Sequence, residues 1–440
     1  MTQPDVLTEL DGRGLIQDHT DLDALRTRLA AGPITVYCGF DPTADSLHIG
    51  HLQQILALRR FQLAGHTPLA LAGGATGMVG DPGGRSEERN LLDDETVDHN
   101  VAAITVQLEQ FLDFGAAPNP AEVLDNRTWT GQLRLLEFLR DVGKHVTVNQ
   151  MAAKESVKAR LASDQGISYT EFSYMLLQAN DYWWLNQHRG CELQIGGSDQ
   201  WGNITAGVDL IRRRSQRTVH ALTMPLITDQ HGQKLGKSTG GGDTWLDPAK
   251  TSPYRFFQFL MQVDDDIVAA LLHRLTLLPI REVEAVMVDH CASPPARTAQ
   301  RRLAQEVTSL VHGTEAAATA AAASTVLFGG DCRTVSAAAL AVVAQEVPRV
   351  TLTASQLHEG RSLGELLTAT GLTASKGEAR RTISQGGAYV NGIRQTADVD
   401  LDRRALLGGQ LILLRRGKQS YAAVILDGAG ERVDDADHSG

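Results

Sequence analysis

Two histidines three positions apart stand at the start of a predicted helix. His48 and His51 lie on either side of Gly50 and an apolar run with helical spacing follows, at Leu52, Ile55, Leu56 and Leu63. In the first turn of a helix, free N–H groups and the helix dipole favour a bound phosphate. The spacing places both imidazoles on one face, and Gly50 permits close approach of a ligand to the backbone. Taken alone, the pair can equally be ordinary residues at a helix start.

A second segment whose residue types could take part in a reaction lies almost two hundred residues downstream. It reads Lys234-Leu-Gly-Lys237-Ser238 and continues into Thr239-Gly-Gly-Gly242. Two lysines around a glycine form a cationic loop that suits a polyphosphate leaving group. The spacing differs from that of a Walker loop. Taken alone, this segment is more often a solvated surface loop, but both segments are of a kind that suits phosphate groups.

The elements that must position these residues follow an alternating pattern. Short apolar strands are predicted at 34–38, 68–72, 191–195 and 222–227, with helical stretches between them. Strand-helix alternation predicts an α/β fold with a Rossmann-like, doubly wound parallel sheet, whose ligands bind beyond the carboxyl ends of the strands. The loops after Cys38, Ala72 and Ile195 lie at those ends.

A chain of 440 residues is too long for one core, so several domains are expected. The strand pattern is lost after residue 245, and amphipathic helical stretches replace it. A small α+β pattern begins near Leu363. The predicted organisation is a Rossmann-like domain at 1–245 with an inserted helical segment near 111–190, a helical domain at 246–345, a linker at 346–360, a small α+β module at 361–426 and a disordered acidic tail at 427–440.

The charge of the chain is acidic overall but unevenly distributed. The formal net charge is −11, whereas residues 355–425 carry +4 and residues 427–440 carry −4. Net acidity disfavours general nucleic-acid binding, so any contact with a nucleic acid is expected only at local basic patches. Other basic clusters lie at Lys154, Lys158 and Arg160 and within 212–217.

The cysteines and the hydropathy of the chain indicate the cellular compartment in which the protein is expected. The cysteines at 38, 191, 291 and 332 form no C-x-x-C pair, which argues against a disulfide framework or a structural zinc site. The first residues lack the features of a secretory signal, and no apolar run approaches the length of a membrane span. We therefore expect a cytoplasmic protein with no membrane partner.

In their order and separation, the histidine and lysine segments resemble the two motifs of class I aminoacyl-tRNA synthetases. From about Leu7 to Leu426 the chain resembles the tyrosyl-tRNA synthetases of bacterial type. The motifs that carry this resemblance are Tyr37-Cys-Gly-Phe-Asp-Pro-Thr43, Gly73-Gly-Ala-Thr-Gly77, Asp81-Pro82, Lys154-Glu-Ser156 and Leu193-Gln-Ile-Gly-Gly-Ser-Asp-Gln-Trp-Gly202. The resemblance implies ATP-dependent activation of L-tyrosine to tyrosyl-adenylate, release of pyrophosphate and transfer of tyrosine to tRNA(Tyr). It also implies that 1–245 is the catalytic domain and that 246–345 is a tRNA (anticodon-side) domain. The module at 361–426 resembles the αL-type RNA-binding module.

The resemblance assigns roles around the phosphates. The implied catalytic residues are Thr43, His48, His51, Lys234, Lys237 and Ser238. The resemblance implies that Thr43 and His48 contact the ATP phosphates and that His51 lies near the ribose. It implies that Lys234, Lys237 and Ser238 hold the pyrophosphate. Arg85 and Arg89 can add positive charge, although the family often has lysine at position 85. ATP is expected to arrive with Mg²⁺, and no dedicated protein metal site is expected.

The tyrosine pocket is implied by a helix and by two of the motifs. Ser168 and Glu171 resemble a capping box, which predicts a helix from about Tyr169 to Asn186. Periodicity alone would turn its polar stripe toward water. The resemblance instead implies a tyrosine-binding set in which Tyr37 and Asp181 contact the phenol, and Tyr174, Gln178 and Asp81 contact the α-ammonium, with Gln200 nearby.

Two further sets are implied. The ATP- and adenylate-binding residues are Cys38, Gly39, Asp41, Gly50, Gln194, Gly197, Asp199 and Lys237. The tRNA-binding residues are Lys376, Arg380 and Arg381, on a predicted helix of the C-terminal module. Gln54 is expected only to tune ATP affinity. Cys38 is nearly as well explained as a small buried residue.

A homodimer is a family expectation, with an interface sought between about Phe111 and Leu161. Three alternatives remain at this point: a tryptophanyl-tRNA synthetase of the same fold, a small-molecule nucleotidyltransferase, and a non-catalytic RNA-binding descendant. An acid at 181 with Tyr37 favours a phenol over an indole. The nucleotidyltransferases are much shorter. A descendant without activity should have lost residues of the two phosphate motifs, and none is lost.

Overall fold

The computed structural model describes residues 5–82, 92–115, 118–162, 166–229, 232, 234–235 and 244–427, with backbone only at 155, 156 and 159. Lys237, Ser238, Arg85, Arg89 and the predicted tail beyond Asp427 therefore lie outside the described residues. The chain divides into two compact units, Met1–Thr251 with Gln262–Leu303 and Ser252–Met261 with Ala304–Gly440.

A parallel sheet forms the centre of the first unit. Among the described residues it has five strands in the order β3-β2-β1-β4-β5. Their bounds are β1 Thr35–Phe40, β2 Thr67–Ala72, β3 Glu122–Asp125, β4 Cys191–Gly197 and β5 His220–Met224. Each neighbouring pair is parallel, which confirms the predicted α/β doubly wound fold. The order reverses between β1 and β4, so the ligand crevice is expected at their carboxyl ends.

The strand β3 is absent from the strands predicted by sequence. It is four residues long, lies at the sheet edge and is only partly buried throughout. With Glu122 and Asp125 at its ends, it lacks the apolar run that marks the central strands.

Helices pack around this sheet. Those up to residue 215 are α1 Val6–Gly12, α2 Leu22–Ala30, α3 Ile49–Leu63, α4 Gly74–Val79, α5 Asp94–Phe111, α6 Arg127–Thr130, α7 Leu135–Asp141, α8 Val148–Ala152, α9 Glu155–Leu161, α10 Tyr169–Arg189 and α11 Trp201–Ser215. The predicted cap of α10 is present, since Ser168 accepts a hydrogen bond from the Glu171 N–H. The helix ends at Gly190, whose positive φ of 62° suits glycine.

The region predicted as helical is helical in the structure. Its helices are α12 Pro253–Met261, α13 Asp265–Leu275, α14 Ile280–Ala292, α15 Thr298–His312, α16 Thr314–Leu327 and α17 Ala337–Glu346. This region is divided between the two compact units, with α13 and α14 in the first and α16 and α17 in the second. The predicted domain boundaries stay predictions.

The C-terminal residues form a second sheet, ordered β6-β12-β11-β8-β9, and a short β10-β7 pair. The elements are β6 Arg349–Leu352, α18 Ala354–His358, β7 Arg361–Ser362, α19 Leu363–Ala369, α20 Lys376–Ser384, β8 Ala388–Val390, β9 Ile393–Gln395, β10 Asp400–Leu401, β11 Leu411–Arg416 and β12 Ser420–Leu426. Where the sequence predicts a linker, at 346–360, the chain forms β6 and α18. β6 alternates exposed and half-buried residues and pairs in parallel with β12. Because it has no buried apolar run, the sequence did not indicate this strand.

Across the described residues, no helix is long and apolar enough to cross a membrane.

Candidate active site

A cleft of about 300 Å³ opens in the first unit beside the carboxyl ends of β1 and β4. It brings together most of the residues predicted from the sequence. The predicted residues that line it are Tyr37, Cys38, Gly39, Asp41, His48, Gly50, His51, Gln54, Asp81, Tyr174, Gln178, Asp181, Gln194, Gly197, Asp199, Gln200 and Lys234. They come from segments up to two hundred residues apart, and the strand order places them at one edge of the sheet.

Some predicted residues are not brought into the cleft lining. Thr43 follows β1 closely but is exposed and is not among the lining residues. Lys376, Arg380 and Arg381 lie in the second unit, exposed on α20.

The two histidines form the start of α3. His48 Nδ1 accepts a hydrogen bond from the Gly50 N–H at 3.0 Å, and His51 Nδ1 accepts one from the His48 N–H at 3.2 Å. Because a backbone N–H can only donate, each neutral ring carries its proton on Nε2. A Cβ at Gly50 would lie 2.8 Å from His48 Cε1, so glycine here makes room for the imidazole itself. The helix start thus presents Nε2–H donors as well as its own dipole to an anion.

The segment that follows the lysine loop is joined to the histidine segment. The Ile49 N–H donates to the Thr244 carbonyl at 2.9 Å, and the Leu246 N–H donates to the Leu47 carbonyl at 2.8 Å. Between them, the ring of Trp245 lies edge-on to His48 at 6.2 Å. These contacts anchor one end of the lysine loop beside the first phosphate motif.

Lys234 lies at the other end of that loop and reaches the carboxylate that the resemblance assigns to the ribose. Its Nζ is 2.8 Å from Asp199 Oδ2, and both side chains are partly exposed. The resemblance assigns Lys234 to the phosphates and Asp199 to the ribose, and in the structure these two residues contact each other.

The deepest part of the cleft contains a buried carboxylate. Asp181 is 1% exposed and accepts hydrogen bonds from Trp129 Nε1 at 2.8 Å and from Asn126 Nδ2 at 2.9 Å. Burial raises the pKa of Asp181 to about 7, while the two donors act in the opposite direction. Burial, and then the nearby Asp181 charge, raises the pKa of Tyr37, so this phenol stays protonated.

A chain of hydrogen bonds runs from this carboxylate to Tyr174. Asn126 also donates to Thr76 Oγ1 at 3.1 Å, Thr76 donates to Asp41 Oδ1 at 2.7 Å, and the Tyr174 hydroxyl donates to Asp41 Oδ2 at 2.7 Å. Sequence reasoning gave no role to Asn126, Trp129 or Thr76. Asn126 directly follows β3, so recognition of that strand would have indicated it, because residues after parallel strands face the crevice.

Four polar atoms in the cleft wall make no hydrogen bond within the described residues. They are the Tyr37 hydroxyl, Gln53 Oε1, Gln178 Oε1 and Gln194 Oε1, all buried. Buried polar groups are normally satisfied, and exceptions call for an explanation. A hydroxyl and three amide oxygens are fit to contact a ligand that carries its own donors and acceptors.

A second carboxylate, Asp81, lies at another corner of the cleft. It is 7% exposed and accepts from Gln200 Nε2 at 2.7 Å and from Lys154 Nζ at 3.1 Å. From the sequence, Lys154 belongs to a basic cluster and to one of the motifs that carry the resemblance, and it has no assigned role. Its partner shows that it belongs instead to the surroundings of the cleft.

The thiol in the cleft is not a nucleophile at neutral pH. Burial raises the pKa of Cys38 to about 12, so the thiolate is scarce. This agrees with chemistry that needs positioned donors and cations rather than a covalent intermediate.

Comparison with known proteins identifies two families along the chain. Residues 29–329 match the family described as tRNA synthetases class I (W and Y). Residues 339–424 match the Tyrosine--tRNA ligase SYY-like C-terminal domain. A Tyrosine--tRNA ligase of Opitutus terrae is 54% identical over 95% of this chain and 99% of that protein. One of Roseiflexus castenholzii is 51% identical over 96% of this chain and 99% of that protein.

Solved structures agree. A C-terminally truncated mitochondrial tyrosyl-tRNA synthetase of Aspergillus nidulans has a TM-score of 0.67 and 30% identity, and the match covers 74% of this chain and 95% of that one. A tryptophanyl-tRNA synthetase of Encephalitozoon cuniculi, at 13% identity with a TM-score of 0.53 over 71% of this chain and 87% of that one, shares the fold. From its catalytic cleft to its C-terminal sheet, the chain thus belongs to the class I tRNA synthetases of the tyrosine and tryptophan group, as a member of the tyrosine--tRNA ligases.

Proposed function

We propose that this protein activates L-tyrosine with ATP and transfers it to tRNA(Tyr), with the cleft as its active site. The observation that carries the proposal is the pairing of a buried acceptor, Asp181, with the unsatisfied hydroxyl of Tyr37 at the closed end of the cleft. A phenolic substrate can donate to the first and accept from the second. A side chain without a hydroxyl would leave both unpaired. Rejection of phenylalanine by a factor of about 10⁵ is already a known property of tyrosyl-tRNA synthetases, which are the standard example of this effect.

The α-ammonium of tyrosine is assigned to Asp81, Tyr174 and Gln178. Their hydrogen bonding supports this role. The Tyr174 hydroxyl donates to Asp41 and so presents its oxygen as an acceptor, and the Gln178 oxygen has no partner among the described residues. Asp81 supplies the negative charge. An ammonium needs acceptors, and these three groups come from two sides of the cleft.

The phosphates are assigned to the start of α3 and to the lysine loop. The substrate carboxylate attacks the α-phosphorus, and pyrophosphate leaves with its electron pair. His48 and His51 present ring N–H donors, and Lys234, with Lys237 and Ser238 as predicted partners, supplies positive charge. Thr43 is retained as a predicted phosphate contact. Such interactions stabilise charge that develops in the transition state.

The ribose is assigned to Asp199 and Gly197, with Gln194 nearby; Cys38, Gly39, Asp41 and Gly50 complete the adenylate surface. ATP binding then exchanges the Asp199–Lys234 ion pair for contacts with ribose and phosphate. Mg²⁺ enters with ATP and offsets the charge of the phosphates. The cytoplasm, where translation takes place, is the proposed location.

The first test is amino-acid-dependent exchange of labelled pyrophosphate into ATP, with Mg²⁺ and without tRNA, for each of the twenty amino acids. Exchange with tyrosine alone is expected. Exchange with tryptophan would retain the fold but overturn the pocket assignment. No exchange with any amino acid would contradict the proposed activity.

The activation of tyrosine should depend on the ionisation of Asp181. Below about pH 7 this carboxyl is protonated and no longer offers the charged acceptor, so kcat/KM for tyrosine should fall as the pH is lowered through 7. Trp129→Phe removes one donor that stabilises the charged form, and should move the midpoint upward by about one pH unit. The measurement is pyrophosphate exchange from about pH 5.5 to about pH 9, a range that spans the expected midpoint.

Trp184→Phe is the matched control, because Trp184 stacks on Trp129 at 4.0 Å and changes the same ring type without the Asp181 contact. It should leave the midpoint in place. An equal shift in both variants would mean that packing, not the hydrogen bond, controls the titration.

The tRNA contacts are assigned to α20. Ala379 and Ile383 bury one face of this helix, while Lys376, Arg380 and Arg381 are exposed to solvent. Exposed cations on a helix suit phosphate contacts, which position RNA without reading its sequence.

Replacing Arg380 and Arg381 together by Gln should raise KM for tRNA about tenfold or more and reduce the slope of log KM against log salt by about two. Pyrophosphate exchange should be unchanged. Arg26→Gln, at an exposed cation of α2, is the control that changes charge in the first unit. If the double variant aminoacylates tRNA as the wild type does, α20 is not the contact.

A homodimer is proposed from an apolar patch. On and around α7 and α8, large apolar side chains are strongly exposed: Leu135 by 71%, Leu136 by 78%, Leu139 by 40% and Val148 by 66%. Clustered exposure of this kind marks a protein contact, and a two-fold axis would cover the same patch on both copies. The patch lies within the segment 111–161, where the sequence analysis places the interface.

Leu135→Asp with Leu136→Asp should therefore halve the mass measured by sedimentation equilibrium. Leu63→Asp, at an isolated leucine that is 54% exposed, should leave the mass unchanged. A wild-type protein that sediments as a monomer would overturn this assignment.

A further inference from the structure

A buried lysine contacts the active site through one of its carboxylates. Lys154 Nζ lies 3.1 Å from Asp81 Oδ1 and 2.8 Å from Asn203 Oδ1. The side chain of Lys154 is only 7% exposed and that of Asp81 only 9%. Asp81 lines the cleft, whereas Lys154 and Asn203 are not among the lining residues. The ammonium group therefore acts on the cleft through Asp81.

The second oxygen of Asp81 is also fixed. Gln200 Nε2 donates to Asp81 Oδ2 at 2.7 Å, and Asn203 Nδ2 donates to Gln200 Oε1 at 2.9 Å. Since Lys154 donates to Asn203 as well, the four side chains close a ring of hydrogen bonds. A closed network of this kind fixes the orientation of each member.

The stem of Lys154 is held as firmly as its charge. The residue stands just before α9, and its stem crosses the first turn of α11 at Gly202. A Cβ on Gly202 would lie 3.3 Å from Lys154 Cγ and 3.7 Å from Cδ. Glycine at this position leaves room for the lysine to reach Asp81.

The competing interpretation is a basic patch for RNA formed by Lys154, Lys158 and Arg160. The geometry disfavours it. Arg160 is 3% exposed and pairs with Glu171 at 2.7 Å. Of the three, only Lys158 has an exposed side chain. A phosphate could approach Lys154 only by breaking a buried ion pair.

We propose that Lys154 is a positioning residue for amino-acid activation, which holds Asp81 oriented toward the α-ammonium of the substrate. The role rests on the proposed function, since it presumes that the substrate presents an ammonium group at this corner. Two opposite effects compete when the lysine is removed. The site loses a repelling cation, but its buried carboxylate loses its counter-ion and one of the contacts that orient it, and keeps neutral donors such as Gln200. The second effect dominates because a buried charge without its counter-ion is costly.

Lys154→Met keeps the stem and removes the charge. In pyrophosphate exchange, KM for tyrosine should rise about tenfold or more, the effect expected for one lost charge-assisted contact. The kcat and the KM for ATP should change by less than about twofold, and so should KM for tRNA in aminoacylation. Lys158→Met, one turn further along α9, is the matched control and should leave KM for tyrosine unchanged. A raised KM for tRNA with an unchanged KM for tyrosine would overturn the proposal in favour of the RNA patch.

A pair of ligands isolates the ammonium. Tyramine has the phenol and the ammonium without the carboxylate, whereas 3-(4-hydroxyphenyl)propanoate has the phenol and the carboxylate without the ammonium. Lys154→Met should weaken the Kd of tyramine about tenfold and change that of the propanoate by less than about twofold, by calorimetry. Equal weakening of both would indicate a general distortion of the pocket and contradict a role through Asp81.

Gly202→Ala is the second variant, should Lys154→Met fail to fold. It displaces the lysine stem without changing charge, and alanine suits a helix. KM for tyrosine should rise while thermal unfolding is unchanged; an unchanged KM would count against the proposal. The binding measurements also separate the two proposals. Absence of exchange in the wild type would overturn the function, whereas unchanged tyramine affinity in Lys154→Met would overturn the role of Lys154.

Discussion

The burial of the Asp181 carboxylate is the constraint on which the site depends. A carboxylate that is almost completely removed from water needs donors, and here Asn126 and Trp129 provide them. Both donors follow β3, the edge strand, while Asp181 lies on α10. The position of β3 at the sheet edge, next to β2, is what brings these two donors to the carboxylate. Burial still raises the pKa of Asp181 to about 7. In the proposed function, this pKa makes the acceptor of the phenol sensitive to pH.

Three carboxylates that line the cleft have different kinds of hydrogen-bond partner. Asp181 is held by neutral donors, Asp41 by the hydroxyls of Thr76 and Tyr174, and Asp81 by a lysine ammonium. Neutral donors orient a carboxylate without cancelling its charge. A paired cation reduces its net charge and restrains it more strongly. The cleft thus contains three carboxylates that are oriented by different kinds of donor.

The phosphate end is organised by backbone contacts rather than by buried charge. The two histidines use their Nδ1 atoms to bind the first turn of α3, and residues 244–246 pair with residues 47–49. This arrangement fixes the donors before a nucleotide arrives, so less reorganisation is required during the reaction. Lys234 is not part of these backbone contacts and instead forms an ion pair with Asp199.

The sequence by itself determined the motif chemistry, the α/β class and the cap of α10, because these follow from local residue types, periodicity and the spacing of His48 and His51. It also indicated most of the cleft lining, through loops placed after predicted strands. Only the tertiary structure decided that β3 exists, that 346–360 contains a strand, and that Asn126 and Trp129 hold Asp181. It also moved Lys154 from a presumed surface patch to a buried ion pair with Asp81. The reason is physical: a strand at a sheet edge and a buried salt bridge are defined by partners distant in the chain, and the pattern of neighbouring residues contains no record of those partners.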